Sequence, residues 1–277
     1  MKHMSSNIHP TAIIDPAAQL GKDVVVGPYS IIESDVVIGD NVYIDAHVKI
    51  ARYTTIGSRS RIYFGALVGE EPQDHRCTPG IVAPTNVGED TVIREYVTIH
   101  RSPFEGAPTS VGDHTLLMAF VHLGHDVIVG NRVTIANHTA ISGHVRIEDG
   151  AVISGYVKMH QHCRIGAIAM IGADTIITQD VPPYCMMPES NLICGPNTIG
   201  LRRNGLDSER RAAVRRAIKT YFFKGLNAKN AVAEIRKEPV TPEVEHFIEF
   251  VTTTERGIMS GDPKLVSPNA WLKEDIL

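Results

Sequence analysis

Leu123-Gly124-His125-Asp126-Val127-Ile128 is followed by Val129-Gly130-Asn131-Arg132-Val133-Thr134 and by Ile135-Ala136-Asn137-His138-Thr139-Ala140. Each block of six opens on an aliphatic residue and carries a small or β-branched one four places later. The pattern runs from Val111 to Val181, with Met159 the one non-aliphatic opener and Cys163 the one thiol among the inner small positions. A helix repeats its apolar residues near 3.6 and a half-buried strand near 2, so a sustained period of six is neither. It is the hexapeptide signature of a parallel β-helix, in which short strands coil around a narrow core.

The period carries geometry with it. If three hexads make one triangular coil, residues 18 apart stack in columns about 4.7–4.9 Å per step. His125 then stacks on Gly143 and Gln161, and Asp126 on His144 and His162. Gly124, Ser142 and His160 form the adjacent column. One corner of three successive coils therefore gathers His125, Asp126, Gly143, His144, His160 and Gln161, and this corner is the candidate active site.

The same period begins at Ile8 and continues through Ile14, Leu20, Val26 and onward to Val68. Glycine often follows the aliphatic residue, as at Gly21, Gly39 and Gly57, which suits a tight corner at positive φ. The pattern breaks at 69–86, a stretch rich in Pro and polar residues that includes Gln73, Asp74 and Arg76. It resumes at Val87, Ile93 and Ile99, and breaks again at 102–110. Both breaks read as loops thrown out from a rigid coil, where solenoids carry binding function. The first favours function on its polar content; for the second, a tolerated insertion stands about even with function.

The ladder is expected to end at Asp180-Val181-Pro182-Pro183-Tyr184, because tandem prolines cannot continue it. The division is therefore 1–7 as a disordered or vector-derived leader, 8–184 as β-helix with its two excursions, and 185–277 as linker and α-helical domain. Asp207 or Ser208 caps a helix to about Lys224, a second covers Ala228 to Lys237, and Thr241-Pro242-Glu243 opens a third through about Val251. The tail beyond Gly261 is expected to be weakly ordered. Between Leu201 and Lys224 eight Lys/Arg face two acidic residues, an asymmetry suited to an acidic partner or phosphate groups.

A net charge of −4 and a pI near 6.3 exclude a general nucleic-acid binder. No stretch reaches the roughly 18–20 apolar residues of a membrane span, and residues 1–7 lack a signal-peptide core. The four cysteines form no CxxC pair, and Cys163 takes an inward position. The chain reads as soluble and cytoplasmic.

His9, His47 and His246 are read as bystanders, since a lone histidine is more often structural than catalytic. The corner differs because several histidines converge there. Asp126 beside His125 can fix the imidazole tautomer, and Gly143 offers room and a backbone N–H for an oxyanion. A histidine base beside such a donor suffices for direct acyl transfer from a thioester to a hydroxyl or amine. The competing reading is a zinc site. Hexapeptide β-helices include γ-class carbonic anhydrases, whose zinc histidines include an H-x4-H pair, but no two histidines here are five apart. A non-enzymatic scaffold would leave the polar corner and the two excursions without a purpose.

Ile8-His9-Pro10-Thr11-Ala12, Gln73-Asp74, Ile93-Arg94-Glu95, Val97-Thr98-Ile99-His100-Arg101, His122-x-x-His125-Asp126, Gly143-His144, His160-Gln161 and Asp180-Val181-Pro182-Pro183-Tyr184 stand in this order. Over nearly the whole chain this set resembles the acyl-carrier-protein:UDP-N-acetylglucosamine acyltransferase family, which begins lipid A synthesis. The resemblance implies a mainly β protein, a left-handed parallel β-helix with a C-terminal α-helical domain, assembled as a homotrimer with sites between subunits. It implies His125 as general base toward the sugar 3-hydroxyl, Asp126 as its orienting carboxylate and the Gly143 N–H as oxyanion donor. Gln73, Asp74, His144, His160, Gln161, Asn197 and Arg203 would contact the nucleotide sugar, with His122 nearby. Arg76 matches a position associated with the acyl donor, and Ala173 one associated with acyl length, where the added methyl relative to glycine favours a shorter or repositioned chain. No metal and no separate cofactor is implied, since the acyl group rides on the phosphopantetheine of acyl carrier protein. The basic helices would dock that carrier. The chain departs from the family pattern at His162, Glu189-Ser190-Asn191, Ile199 and Asn204. A related reading is a nucleotide-sugar 3-N-acyltransferase that uses a 3-amino sugar or acyl-CoA.

Overall fold

Six-residue hexads of two-residue strands and tight corners wind this chain into a three-faced parallel solenoid. The structure is a computed structural model that describes residues 7–75, 77–78, 80–189, 191–262 and 264. Among these the first face stacks ten parallel strands from Asn7–Ile8 to Cys185–Met187. The second runs from Ile13–Ile14 to Ile176–Ile177 and the third from Gln19–Leu20 to Arg164–Ile165. Leu123 pairs with Ile141 and Ile141 with Met159, so residues 18 apart stack as the spacing predicts. Across the excursions Ile62 pairs with Ile93 and Ile99 with Leu123, which keeps the columns intact. Strand pairing reaches into both loops, to Glu70 and Thr85 at the first and to His100 and Thr109 at the second.

The period exists because the core is one side chain wide. Ile44, Ile62, Ile93, Leu117, Ile135, Ile153 and Ile171 form a column at 0% exposure, and the matching columns of the other faces close the prism. Full burial of each contributes about 1.5–3 kcal/mol. Against this stands the corner, where the third residue after the aliphatic one adopts left-handed backbone. Asp23, Asn41, Asp126, His144 and His162 all lie there, and every such non-glycine residue has φ between 51° and 68°. Each costs on the order of 1–3 kcal/mol, which burial of the hydrophobe before the corner offsets.

The expected role of the glycines is corrected here. Gly21, Gly39 and Gly57 do not have positive φ. They are glycine because the next coil passes too close: a Cβ on Gly21 would lie 2.7 Å from the Gly39 carbonyl carbon.

The edge between first and second faces carries an exposed aromatic spine: Tyr29, His47, Phe64, Tyr96, Phe120, His138 and Tyr156, with successive centroids 4.8 to 5.5 Å apart. All but Phe64 sit at positive φ. Ring stacking worth about 0.5–1.5 kcal/mol per pair offsets part of that strain.

The solenoid runs on past residue 184. Pro182 and Pro183 occupy a corner, where no ladder N–H is needed, and Cys185–Met187 rejoins the first face beside Met170–Ile171. Gly195–Pro196 then returns antiparallel and ends the face. Helix α1 (Thr198–Arg203) precedes the first of the expected helices, capped by the Asn197 side chain on the Gly200 N–H. Helices α2 (Ser208–Phe223), α3 (Ala228–Ile235) and α4 (Pro242–Thr252) start at Asp207, Asn227 and Thr241. The leader and tail expectations fall largely outside the described residues, except that Asn7 already pairs with Val25.

His246 is not a bystander. Its Nε2 meets Glu148 Oε2 at 3.0 Å and its Nδ1 meets the Tyr184 hydroxyl at 2.9 Å, which fastens α4 to the solenoid. The carboxylate can only accept, so Nε2 carries hydrogen and, in the neutral ring, Nδ1 accepts from the tyrosine. The hydrogen bond to Glu148, working against partial burial, raises the His246 pKa above 6.5.

Two expectations follow. Ile135→Ala should lower the unfolding free energy by about 2–5 kcal/mol, whereas Ile13→Ala, at a site 64% exposed, should change it by less than about 0.5 kcal/mol; denaturant unfolding of both checks the pair. Because the His246 pKa is raised on folding, its stabilisation is complete below pH 6.5 and is lost as pH rises through the folded value. The melting temperatures of wild type and His246→Gln should therefore differ most at low pH and converge as pH rises.

Candidate active site

The edge between second and third faces brings the predicted corner together. His125 and Asp126 follow the strand His122–Leu123, and one coil on Gly143 and His144 follow Ala140–Ile141. His125 Nδ1 lies 2.6 Å from Asp126 Oδ2. A carboxylate accepts only, so Nδ1 carries the hydrogen and Nε2 presents a lone pair. That nitrogen faces Asp74 Oδ2 at 3.6 Å, which brings the first excursion to the corner. At 3.6 Å the contact is electrostatic, beyond hydrogen-bond length.

Gly143 is required by the imidazole above it. A Cβ there would lie 2.6 Å from His125 Cε1 and 2.7 Å from Nε2. Its own N–H makes no hydrogen bond among the described residues, although its carbonyl accepts from His162. The Nε2 lone pair thus lies against the Gly143 backbone, whose N–H no described residue takes up. His144 sets its ring edge-on to His125, 5.0 Å between centroids, and its Nδ1 3.7 Å from Asp126 Oδ2. His162 stacks beneath His144 at 4.5 Å.

His122 lies one strand back, with Nδ1 2.8 Å from Thr98 Oγ1 and its ring against buried His100. Burial, aided by His100, lowers its pKa to about 4, so it stays neutral at ordinary pH. His160 and Gln161 are exposed on the next coil. Gln73 is exposed in the same excursion as Asp74, and Arg76 lies outside the described residues.

Three expected site residues stand on other edges of this chain. Asn197, 8% exposed, donates to the Ile168 carbonyl at the edge between third and first faces, and Arg203 closes the helix it caps. Ile168 is a β-branched residue at φ 57°, an outlier over which Asn197 sits. Ala173 lies at the aromatic edge, between the strands Met170–Ile171 and Ile176–Ile177.

The second excursion takes part, which its sequence left undecided. Thr109 Oγ1 accepts the Asp126 N–H at 2.9 Å and donates to the His100 carbonyl. Phe104 packs on His144, 6.2 Å between centroids. A cleft of about 580 Å³ opens beside the corner, lined by Pro108, Asp126, His144, Arg146, Arg164 and Glu255. Thr109 was findable only as the first strand residue after a loop; nothing in the sequence pointed to Phe104 or Glu255.

Among the described residues one trio can approach a metal, His125, Asp126 and His144, with ligand atoms within 4.8 Å of one another. An ion held through His125 Nδ1 would break the 2.6 Å hydrogen bond that fixes the ring.

Comparison with known proteins follows the same lines. The family described as UDP N-acetylglucosamine O-acyltransferase, domain 2, matches residues 180–259, and the bacterial transferase hexapeptide matches residues 35–70 and 108–143. A Xanthomonas oryzae pv. oryzae protein named acyl-[acyl-carrier-protein]–UDP-N-acetylglucosamine O-acyltransferase is 42% identical over 265 residues, covering 94% of this chain and 100% of its own. A Chlamydia abortus protein of the same name is 41% identical over 262 residues, 94% of each. The solved Acinetobacter baumannii LpxA superposes with a TM-score of 0.87 at 37% identity, covering 91% and 99% of the two chains. The Francisella novicida UDP-N-acetylglucosamine acyltransferase does so at 0.87 and 33%, covering 95% and 98%.

The short His125–Asp126 bond should give a downfield proton resonance in NMR. Gly143→Ala, which drives a methyl into the ring, and Asp126→Asn should each abolish that resonance while the melting temperature stays within a few degrees of wild type; its persistence in Gly143→Ala would contradict the packing described.

Proposed function

This chain belongs to the UDP-N-acetylglucosamine O-acyltransferase family, and on that footing we propose that it transfers a 3-hydroxyacyl group from acyl carrier protein to the 3-hydroxyl of UDP-GlcNAc, the first step of lipid A biosynthesis. The observation that carries the reading is the His125 ring, pinned at Nδ1 by Asp126 with its Nε2 lone pair against the Gly143 backbone.

In the proposed step His125 Nε2 takes the proton of the sugar 3-hydroxyl as that oxygen bonds to the thioester carbonyl carbon. The carbonyl oxygen becomes an oxyanion and receives the Gly143 N–H. Asp126 and Asp74 flank the imidazolium and oppose its new charge. Collapse breaks the carbon–sulfur bond, and the departing phosphopantetheine sulfur takes the proton back from Nε2. No side-chain nucleophile is needed; Cys163 is fully buried.

We further propose that the chain assembles as a homotrimer with its sites between subunits. The histidine corner, Ala173 and the Asn197–Arg203 segment lie on three different edges of one prism, so a site that uses all of them needs neighbours. Three parallel prisms about a threefold axis bring unlike edges together. The carrier would dock on α2, where Arg215, Arg216, Lys219 and Lys224 are exposed beside a groove of about 340 Å³ shared with α3. Among the described residues no helix is long and apolar enough to cross a membrane. Cys163 and Cys185 are buried thiols, and a reducing cytoplasm is the compartment we propose.

A mass-spectrometric assay with UDP-GlcNAc and a mixture of 3-hydroxyacyl carrier proteins should yield one acylated sugar nucleotide whose mass reports chain length. Turnover only with a 3-amino sugar or with acyl-CoA would move the assignment to an N-acyltransferase. His125→Ala should lose at least about a hundredfold in turnover. Chelator-treated enzyme should remain fully active; loss restored by zinc would overturn the metal-free mechanism.

A further inference from the structure

Beyond α4 the chain turns back across the last coils of the solenoid. Asp180, 1% exposed, anchors this strap: it accepts from Thr254 Oγ1 at 2.8 Å and from Arg164 Nε at 2.9 Å. Its backbone bonds both ways, N–H to the Gly257 carbonyl and carbonyl to the Met259 N–H. Arg164 reaches on to the Phe250 carbonyl and to Thr253. The strap is therefore fixed at several points, and between them it carries Arg256.

Arg256 Nη2 lies 3.1 Å from His160 Nδ1 and donates to the Thr178 carbonyl, also at 3.1 Å. Its Nε is buried without a hydrogen-bond partner among the described residues. A guanidinium is always charged and can only donate, so His160 Nδ1 must accept. The Gln161 carbonyl lies 3.3 Å from the same nitrogen and would call for the opposite tautomer. The charge-assisted contact is both shorter and stronger, and it decides. With Nδ1 committed as acceptor, the hydrogen of the neutral ring resides on Nε2.

We propose that Arg256 is a positioning residue, which locks His160 as an Nε2–H donor toward an acceptor oxygen of the nucleotide sugar. The substrate half of this statement rests on the function proposed above; the tautomer half rests on this chain alone. The arrangement mirrors the catalytic histidine. Asp126, an obligate acceptor, makes His125 Nε2 a lone pair, and Arg256, an obligate donor, makes His160 Nε2 a proton. Two imidazoles on neighbouring columns are thus set to opposite roles by the charge behind each.

The test uses the full-length enzyme labelled with ¹⁵N-histidine. Long-range ¹H–¹⁵N correlation, assigned by His160→Gln, should show His160 Nδ1 pyridine-like and Nε2 pyrrole-like; the reverse would overturn the proposal. Arg256→Met should abolish that preference and raise KM for UDP-GlcNAc about tenfold, the loss of one hydrogen bond, with kcat within about threefold. Arg256→Lys keeps a charged donor and should restore part of both. A lost tautomer with unchanged KM would overturn the positioning role. Failure of wild type to acylate UDP-GlcNAc would instead sink the proposed function and leave the NMR result standing. Should Arg256→Met not fold, the wild-type spectrum and the lysine variant still decide.

Discussion

The left-handed corner is the constraint on which everything else in this molecule rests. One residue in six accepts a backbone that L-amino acids avoid, and in exchange the chain turns sharply enough for a core a single side chain wide. The strain is tolerated because nearly every corner follows a buried apolar residue and is bracketed by hydrogen bonds to the coils on either side. It also places three site residues, Asp126, His144 and His162, at positive φ, which turns their side chains outward along one edge. The scaffold's strain and the site's geometry are the same feature.

What could be read from the sequence was what repeats. Counting by 18 placed His125 on Gly143 and Asp126 on His144, because a solenoid converts sequence distance into position by simple division. The helix caps at Asp207 and Thr241 were equally legible, since they are local. Position was harder wherever the chain left the period. Thr109, Phe104 and Arg256 reach the site from outside the unbroken hexads, and no spacing rule connects residue 256 to residue 160. His246 looked like a lone histidine because its partners, Tyr184 and Glu148, stand 62 and 98 residues away. The glycines misled differently: their neighbours across the coil, invisible in one dimension, exclude a Cβ, and φ plays no part.

Electrostatics at the site is economical. Several of its histidines have a neighbour that settles which ring nitrogen carries hydrogen. Asp126 settles His125, burial with His100 keeps His122 neutral, and Arg256 settles His160. A patch of imidazoles that could each hold hydrogen on either nitrogen is divided into single-purpose groups. The division is made by residues from the corner itself, from the adjacent strand and from the far end of the chain.

That last contribution bears on how the protein is made. A stack of near-identical coils, each in contact only with its neighbours, can assemble in step with translation, from the N-terminal coil onward. His125 and Asp126 come into register once a few further coils have emerged. His160 does not gain its guanidinium until residue 256 has left the ribosome and the strap has closed over Asp180. For much of its synthesis the nascent chain therefore displays stacked coils in which His160 has not yet met Arg256.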